Sequence, residues 1–311
     1  MVISLIVPTR NRARTLARVA ASYFEQEPVD EIIFVDDAGS DDTRAKIDSI
    51  AARYPEKRLK FLRNSQKLGA SQSRNLGVRS ASNDLILFCD DDELLERHYA
   101  STCLDKLRTT GASAVSGRRV YMRPGETPLA AIARFGEGMR RARPFRYGIC
   151  EYVNGARFKG DIELPFTNAV ILTYRHLLQA HPFDAFYAKG NGYREETDYQ
   201  MQIFVEGHRI VVTNDCHSVH LPLGEVRDGG QRVSRWTRVY WSIFYTDYFF
   251  RKFHAAYAKR VGLRTPRFVS LASFTAFVVY REFVRPPLYA VAMAVLSRRR
   301  SAPLRVESEA G

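Results

Sequence analysis

Short apolar runs alternate with amphipathic stretches over the first 120 residues of the chain. Residues 2–7, 31–35, 59–62, 84–89 and 112–116 have the length and apolar character of buried strands. Between them, residues 15–26, 41–54, 69–81 and 95–108 carry apolar positions at helical spacing. Pro8 is expected to stop the first strand, because proline has no N–H to give a ladder. Strands of this length separated by helices predict βαβ units, and such crossovers make neighbouring strands run parallel. Residues 121–163 are rich in Gly, Pro and Arg and read as an irregular excursion over a site. Regularity returns at residues 166–173 (strand), 195–206 (helix) and 209–213 (strand). The fold class expected is α/β, a mostly parallel sheet flanked by helices.

After Gly229 and Gly230 the pattern changes. Residues 234–258 read as a helix crowded with aromatics, from Trp236 and Tyr240 to Phe253 and Tyr257. Residues 268–280 and 288–296 are apolar runs, both short of the ~20 residues that a membrane-crossing helix needs. The expected organisation is one domain over 1–226 and a helical, basic extension over 227–311.

Composition sharpens this division. The chain has 311 residues, 45% hydrophobic and 26% charged, which suits a folded domain and not a disordered one. Its net charge is +13, and from residue 227 onward 16 Lys and Arg stand against 5 Asp and Glu. A basic, aromatic extension of this kind suits an anionic membrane surface, with Arg298, Arg299 and Arg300 near the headgroups. The alternative is that these helices pack on the main domain or on another subunit. Cys89, Cys103, Cys150 and Cys216 lack zinc-site spacing and read as reduced thiols. The first apolar run ends in Pro8-Thr9-Arg10-Asn11-Arg12, unlike a signal peptide, so a cytoplasmic location is expected.

The candidate chemistry lies at the carboxyl ends of the strands, where parallel α/β sheets bind ligands. The second strand ends in Asp36-Asp37-Ala38-Gly39-Ser40-Asp41-Asp42, and the fourth in Cys89-Asp90-Asp91-Asp92-Glu93. Two neighbouring carboxylate clusters repel each other unless a cation sits between them. A hard divalent ion fits, because Mg²⁺ takes one or two carboxylates and completes its shell with phosphate oxygens. Capping of the next helix is the plainer role for Asp41 and Asp42, but not for Asp90, Asp91 and Asp92 together.

These residues carry a resemblance. Val7-Pro8-Thr9-Arg10-Asn11-Arg12, Val35-Asp36-Asp37-Ala38-Gly39-Ser40, Gly69-Ala70-Ser71-Gln72-Ser73-Arg74-Asn75-Leu76-Gly77, Phe88-Cys89-Asp90-Asp91-Asp92 and Tyr193-Arg194-Glu195-Glu196-Thr197-Asp198 stand in the order and spacing of one family. The chain resembles a family 2 glycosyltransferase of GT-A fold from Val2 to about Gly230.

The resemblance implies that Pro8, Thr9 and Arg10 line a base pocket and that Asp37 accepts an N–H of the base. It places Arg74 beside the base or the phosphates, Asp90 on the ribose, and Asp92 on a metal bridging the diphosphate. Asp91 fills the variable middle position, and Glu93 has no assigned role because the family often has Asp there. Glu196 takes the place of the acid that deprotonates the acceptor hydroxyl. Glu195 and Asp198 equally suit the first turn of a helix. His220 resembles the histidine that helps hold metal or diphosphate, whereas His217 reads as structural. Arg227 could belong to a loop closing over the donor phosphates.

The implied reaction is an inverting single displacement from a nucleoside-diphosphate sugar, dependent on Mg²⁺ or Mn²⁺. The expected acceptor is a glycan or a polyprenyl-linked sugar, in assembly of a surface polysaccharide at the inner membrane face. A nucleotidyltransferase would favour a Gly-rich basic loop after the first strand, and residues 8–12 contain no glycine. A basic nucleic-acid-binding protein is disfavoured because acidic clusters repel phosphate backbones. Neither G-x-G-x-x-G nor G-x-x-x-x-G-K-[ST] occurs.

Overall fold

The computed structural model describes residues 1–137, 143–154, 156, 158–225 and 233–288. The first half follows the expected order: β1 (Ile3–Thr9), α1 (Ala13–Val19), α2 (Ala21–Phe24), β2 (Val29–Asp36), α3 (Thr43–Ala51), β3 (Arg58–Arg63), α4 (Ala70–Ser80) and β4 (Leu85–Phe88). Strands β3, β2, β1 and β4 lie side by side and parallel. Leu5, Val7, Phe34 and Leu87 face one helical layer, while Ile6, Val35, Ile86 and Phe88 face the other. Because both faces are covered, most positions of β1, β2 and β4 are apolar, and these strands read as near-continuous runs rather than alternating ones. Only β3 is half-exposed, and Arg58, Lys60 and Arg63 blunt this edge.

The second half comprises β5 (Glu93–Leu95), α5 (Tyr99–Thr110), β6 (Ala114–Tyr121), α6 (Pro128–Glu137), β7 (Phe145–Arg146), β8 (Glu151–Tyr152), β9 (Ile162–Glu163), β10 (Leu172–Tyr174), α7 (Arg175–Ala180), α8 (Glu195–Val205) and β11 (Ile210–His220). The sheet continues β4-β10-β6-β11-β5, with β9 also on β11. Here β11 runs parallel to β6, while β10 is antiparallel to both β4 and β6. The long ladders are parallel, and helices flank the sheet on both sides.

Several expected boundaries need correction. Pro8 does not stop β1, which runs on to Thr9 with Pro8 paired to Val35. The ladder to β4 has ended at Ile6–Phe88, so the missing N–H of Pro8 interrupts nothing there. The helix expected over 15–26 begins at Ala13 and divides at Ala20, where the chain has neither Gly nor Pro. Leu95 does not start a helix: Glu93–Leu95 pairs with Ser218–His220, and α5 begins at Tyr99. The strands expected over 112–116 and 209–213 extend to Tyr121 and His220, because they pair with each other past a bulge between Val212 and His217. The strand over 166–173 shrinks to Leu172–Tyr174, since Thr167 N–H donates to Gln200 Oε1 (2.7 Å) instead of a ladder. The excursion over 121–163 holds α6 and the short β7–β8 hairpin.

The aromatic segment forms α9 (Arg235–Val261), capped by Ser234, whose Oγ accepts from Thr237 N–H (3.1 Å). It ends at Gly262, whose left-handed backbone (φ 69°) suits a residue without Cβ. Tyr245, Phe249, Phe250, Phe253 and Tyr257 recur at three- to four-residue spacing and are buried, the last four of them against the sheet's second layer. Next, α10 (Arg267–Val279) packs along α9, burying Phe274 and Val278 with Val239. Among the described residues no helix is long and apolar enough to cross a membrane. Residues 289–296, the arginines at 298–300, Arg227, Gly229 and Gly230 lie outside the described residues. All four cysteines are free and buried, and Cys103 and Cys216, distant in sequence, bring their sulfurs to 3.8 Å.

Candidate functional site

The order β2-β1-β4 sets three strand-end loops side by side. Asp37 is held from both directions: its N–H donates to Thr9 O (2.8 Å), and its carboxylate collects the 64–69 loop. Oδ1 accepts from Asn64 Nδ2 (2.9 Å) and Leu68 N (2.7 Å), and Oδ2 from Gly69 N (2.9 Å). A carboxylate offers about four lone-pair sites, so Asp37 keeps one for a ligand. Thr9 is buried, whereas Arg10 is exposed. The neighbouring Asp36 accepts Gly39 N–H (2.9 Å), and a Cβ on Gly39 would lie 2.6 Å from that same oxygen. Asp41 ties two helix starts together, accepting from Ala13 N (3.0 Å) and Thr43 N (3.1 Å).

After β4, the acidic run divides its members among different partners. Asp90 sits between two arginines, with Oδ1 3.0 Å from Arg74 and Oδ2 2.8 Å from Arg119. Burial would raise its pKa, but Arg119 and Arg74 together hold it below the ordinary value. Asp91 pairs with Arg12 (3.3 Å), yet burial and the charge of Asp92 push its pKa up to about 7. Glu93, buried on β5 against Arg119, is also pushed up to about 7, by burial first, with the arginine opposing.

Asp92 faces His220, the residue at the end of β11. His220 Nδ1 lies 2.5 Å from Leu221 O, and a carbonyl only accepts, so Nδ1 carries the proton. In neutral imidazole the Nε2 lone pair then points at Asp92 Oδ2, 3.6 Å away. Burial lowers the His220 pKa, against the pull of Asp92, and so favours that neutral form. Two acceptors aimed at one point need a cation between them, so the donor set fits a divalent ion. Carboxyl oxygens of Asp90, Asp92 and Glu93 also lie within 4.8 Å of one another. Arg119 already neutralises two of these groups, which leaves Asp92 and His220 as the better ligands.

The acids of α8 meet the same site through Arg74. Its guanidinium bonds Glu195 and lies 3.3 Å from Glu196 while holding Asp90. Glu195 is buried, and its pKa is pushed up to about 8 by burial, with Arg74 opposing and Glu196 adding. Asp198 is committed to structure: it accepts from Tyr187 Oη (2.8 Å) and Gln202 Nε2 (2.9 Å) and pairs with Lys252 of α9 (2.8 Å). Glu196 alone of the three stays partly exposed, at 33% of its side chain.

Two arginines at the site were not singled out from the sequence. Arg119 lies beyond the expected end of its strand, so nothing marked it as facing the acids. Arg194 adopts a left-handed backbone (φ 76°) just before α8 and is buried. It donates to Cys150 O (2.7 Å) and is ringed by Phe166, Tyr193, Phe249 and Phe274 at 5.1–5.7 Å. A bulky residue in that conformation is uncommon, and here the buried guanidinium enforces it. His217 pairs with Glu96 (3.1 Å) and is structural.

Comparison with known proteins adds three findings. The model of glycosyl transferase family 2 matches residues 4–162. Over 106 residues the chain is 36% identical to the GalNAc(5)-diNAcBac-PP-undecaprenol beta-1,3-glucosyltransferase of Campylobacter jejuni, covering 33% of this chain and 34% of that protein. The chain therefore spans about a third of the length of the curated relatives it matches. In three dimensions it resembles TarS 1–349 of S. aureus, solved with UDP (TM-score 0.57, 15% identity, 92% of this chain and 73% of that one). It also resembles the mannosyltransferase PcManGT of Pyrobaculum calidifontis, solved with GDP-Man and Mn²⁺ (TM-score 0.54, 19% identity, 97% and 76% covered). The fold is GT-A.

Proposed function

Because the chain belongs to glycosyl transferase family 2, we propose that it transfers a sugar from a nucleoside-diphosphate donor to a lipid-linked glycan acceptor, with inversion. The observation that carries this reading is Arg74, whose one guanidinium ties the strand-end carboxylate Asp90 to the helix acid Glu196. Donor-side and acceptor-side groups thus share one charge network. The C. jejuni relative, which acts on an undecaprenol-linked substrate, supports the acceptor class.

In this reading Asp37 receives the base N–H on its remaining lone pair, beside Pro8, Thr9 and Arg10. Asp90 faces the ribose, with Asp91 behind it against Arg12. Asp92 and His220 would hold a divalent ion, Mg²⁺ or Mn²⁺, which supplies Lewis-acid stabilisation of the departing diphosphate. Glu196 accepts the acceptor hydroxyl proton, its partial exposure giving access. Arg74 returns to Asp90 and Glu195 and so orients the base. The basic helices α9 and α10 would hold the enzyme at the cytoplasmic membrane face during surface polysaccharide assembly. Residues 1–226 would form the catalytic domain and 227–311 the extension.

The test is thermal stabilisation of the purified protein by UDP, dTDP and GDP, with and without Mn²⁺. Binding to the folded state must raise the melting temperature. The expected result is a metal-dependent shift for one nucleotide that disappears in Asp92→Ala. No shift with any nucleotide in folded protein would overturn the reading.

A further inference from the structure

The base of α9 is buried in the core, yet the opposite wall of the same helix leaves Tyr240 and Phe244 open to solvent. With Phe186, Ile243, Tyr248 and Leu271 they line a groove of about 510 Å³. That volume falls within the ~300–1,000 Å³ of sites that hold small-molecule ligands. Its walls are aromatic planes in contact: Phe186 stacks on Phe244 (5.7 Å) and on Tyr248 (3.9 Å), and Tyr240 stacks on Phe244 (5.9 Å). At its rim Asp247 is paired with both Arg251 (2.6 Å) and Arg267 (3.0 Å), which leaves one positive charge in excess. An apolar trough with a cationic rim complements an anionic amphiphile.

The groove is joined to the candidate acids by the loop it shares. Phe186 lies at the start of the 185–193 segment that leads into α8. Tyr245, behind the groove, donates its hydroxyl to Lys189 O and carries a pKa pushed up to about 12 by burial, Glu195 adding its charge. At Gly190 (φ 63°) the loop lies against the Trp241 indole so closely that a Cβ would meet its ring. On its other side the loop reaches the 64–69 loop that Asp37 holds, with Ala188 against Gly69. We propose that this groove between α9, α10 and Phe186 binds the isoprenoid chain of the lipid-linked acceptor and leads its phosphorylated end towards Glu196. The inference rests on the acceptor class proposed above.

Both tryptophans of the chain lie on α9, and Trp241 lies 5.2 Å from Tyr240 and 5.5 Å from Phe244, so the groove has its own reporter. The full-length protein is titrated with monomeric farnesyl phosphate while tryptophan emission is followed. A saturable change is expected, weakened at least ~10-fold in Phe244→Asp and in Tyr240→Asp, a loss of ~1.4 kcal/mol. Inorganic phosphate should produce none. Both variants should keep the native nucleotide-induced thermal shift, which shows them folded and the donor site intact. No saturable change, or equal affinity in variants that keep that shift, would overturn the proposal. A response to phosphatidylglycerol vesicles but not to the monomeric phosphate would also overturn it and identify a membrane-facing surface instead. If no nucleotide stabilises the protein, the transferase reading fails, whereas loss of chain binding alone removes only the groove.

Discussion

The two ends of the first sheet half bury carboxylates in opposite ways. At the amino ends, Glu31 is closed off: Ser82 donates through N and Oγ (2.8 Å each), Ser4 adds a hydroxyl, and Lys60 pairs at 2.6 Å. Burial alone would raise its pKa, but these partners bring it down to about 2. At the carboxyl ends, burial wins at Asp91 and Glu93, both pushed up to about 7 despite Arg12 and Arg119. The first arrangement is complete and stabilises the fold. The second is short of positive charge, and this is what a site built around a bound cation requires.

This contrast predicts a ranked series of effects. The largest belongs to the site: Asp92→Ala should lower kcat by ~10³-fold or more, the scale at which lost transition-state charge stabilisation appears. Glu196→Gln should cost ~10²–10⁴-fold, as for a lost general base. Paired kinetics on Asp92→Ala and Glu196→Ala check the order, and a clearly smaller effect for Asp92 would remove its metal role. Neither variant should lose stability, since each relieves crowded negative charge.

Next comes Arg119→Met, which strands Glu93 and half of Asp90 without their cation. Removing one partner of a buried pair costs ~3–5 kcal/mol. Urea unfolding should show this loss, and adding Glu93→Gln should recover part of it. Absence of recovery would mean that Arg119 acts on stability through something other than these acids.

Glu31 then supplies the pH test at the closed end. Its folded pKa lies below the unfolded value, so its contribution is present above about pH 5 and is lost as pH falls towards 2. The full contribution is at most ~3 kcal/mol, at 1.36 kcal/mol per pKa unit. The stability gap between native protein and Glu31→Gln should therefore narrow by about 1 kcal/mol between pH 7 and pH 3.5. An unchanged gap would place the stabilisation in packing, and activity at pH 7 should be close to native either way.

The last effect concerns packing between the two ends. A Cβ at Gly77 would come within 2.5 Å of Ile6 Cγ2 in β1. Gly77→Ala should cost ~1–3 kcal/mol by overpacking, and Ile6→Val in the same protein should return some of it.

Much of the first half was legible because its information is local. Buried parallel strands announce themselves as continuous apolar runs, and the motifs at residues 7–12, 35–40 and 88–92 sit where those runs stop. The same logic failed in the second half wherever a partner far along the chain decided the outcome. Glu93–Leu95 became a strand because residues 218–220 pair with it, and β6 ran past Ser116 because β11 follows it to Tyr121. Residues 166–171 are buried, but the Thr167 N–H donates to Gln200 and the Val170 N–H to Asn168 Oδ1, so no ladder forms there.

By itself the sequence determined the α/β class, the strand-end carboxylates Asp37 and Asp90–Asp92, the acid run of α8 and the aromatic helix α9. Each is written in contiguous residues whose spacing matches a helix, a strand or a motif. Only the tertiary structure decided how those charges are shared: Arg74 between Asp90 and Glu196, Arg119 between Asp90 and Glu93, and His220 opposite Asp92. The physical reason is range. A run of apolar residues specifies its own burial, whereas the pKa and partner of a buried charge depend on groups within a few ångströms that the chain supplies from other elements, 16 residues away for Arg74 and Asp90 and 122 for Arg74 and Glu196.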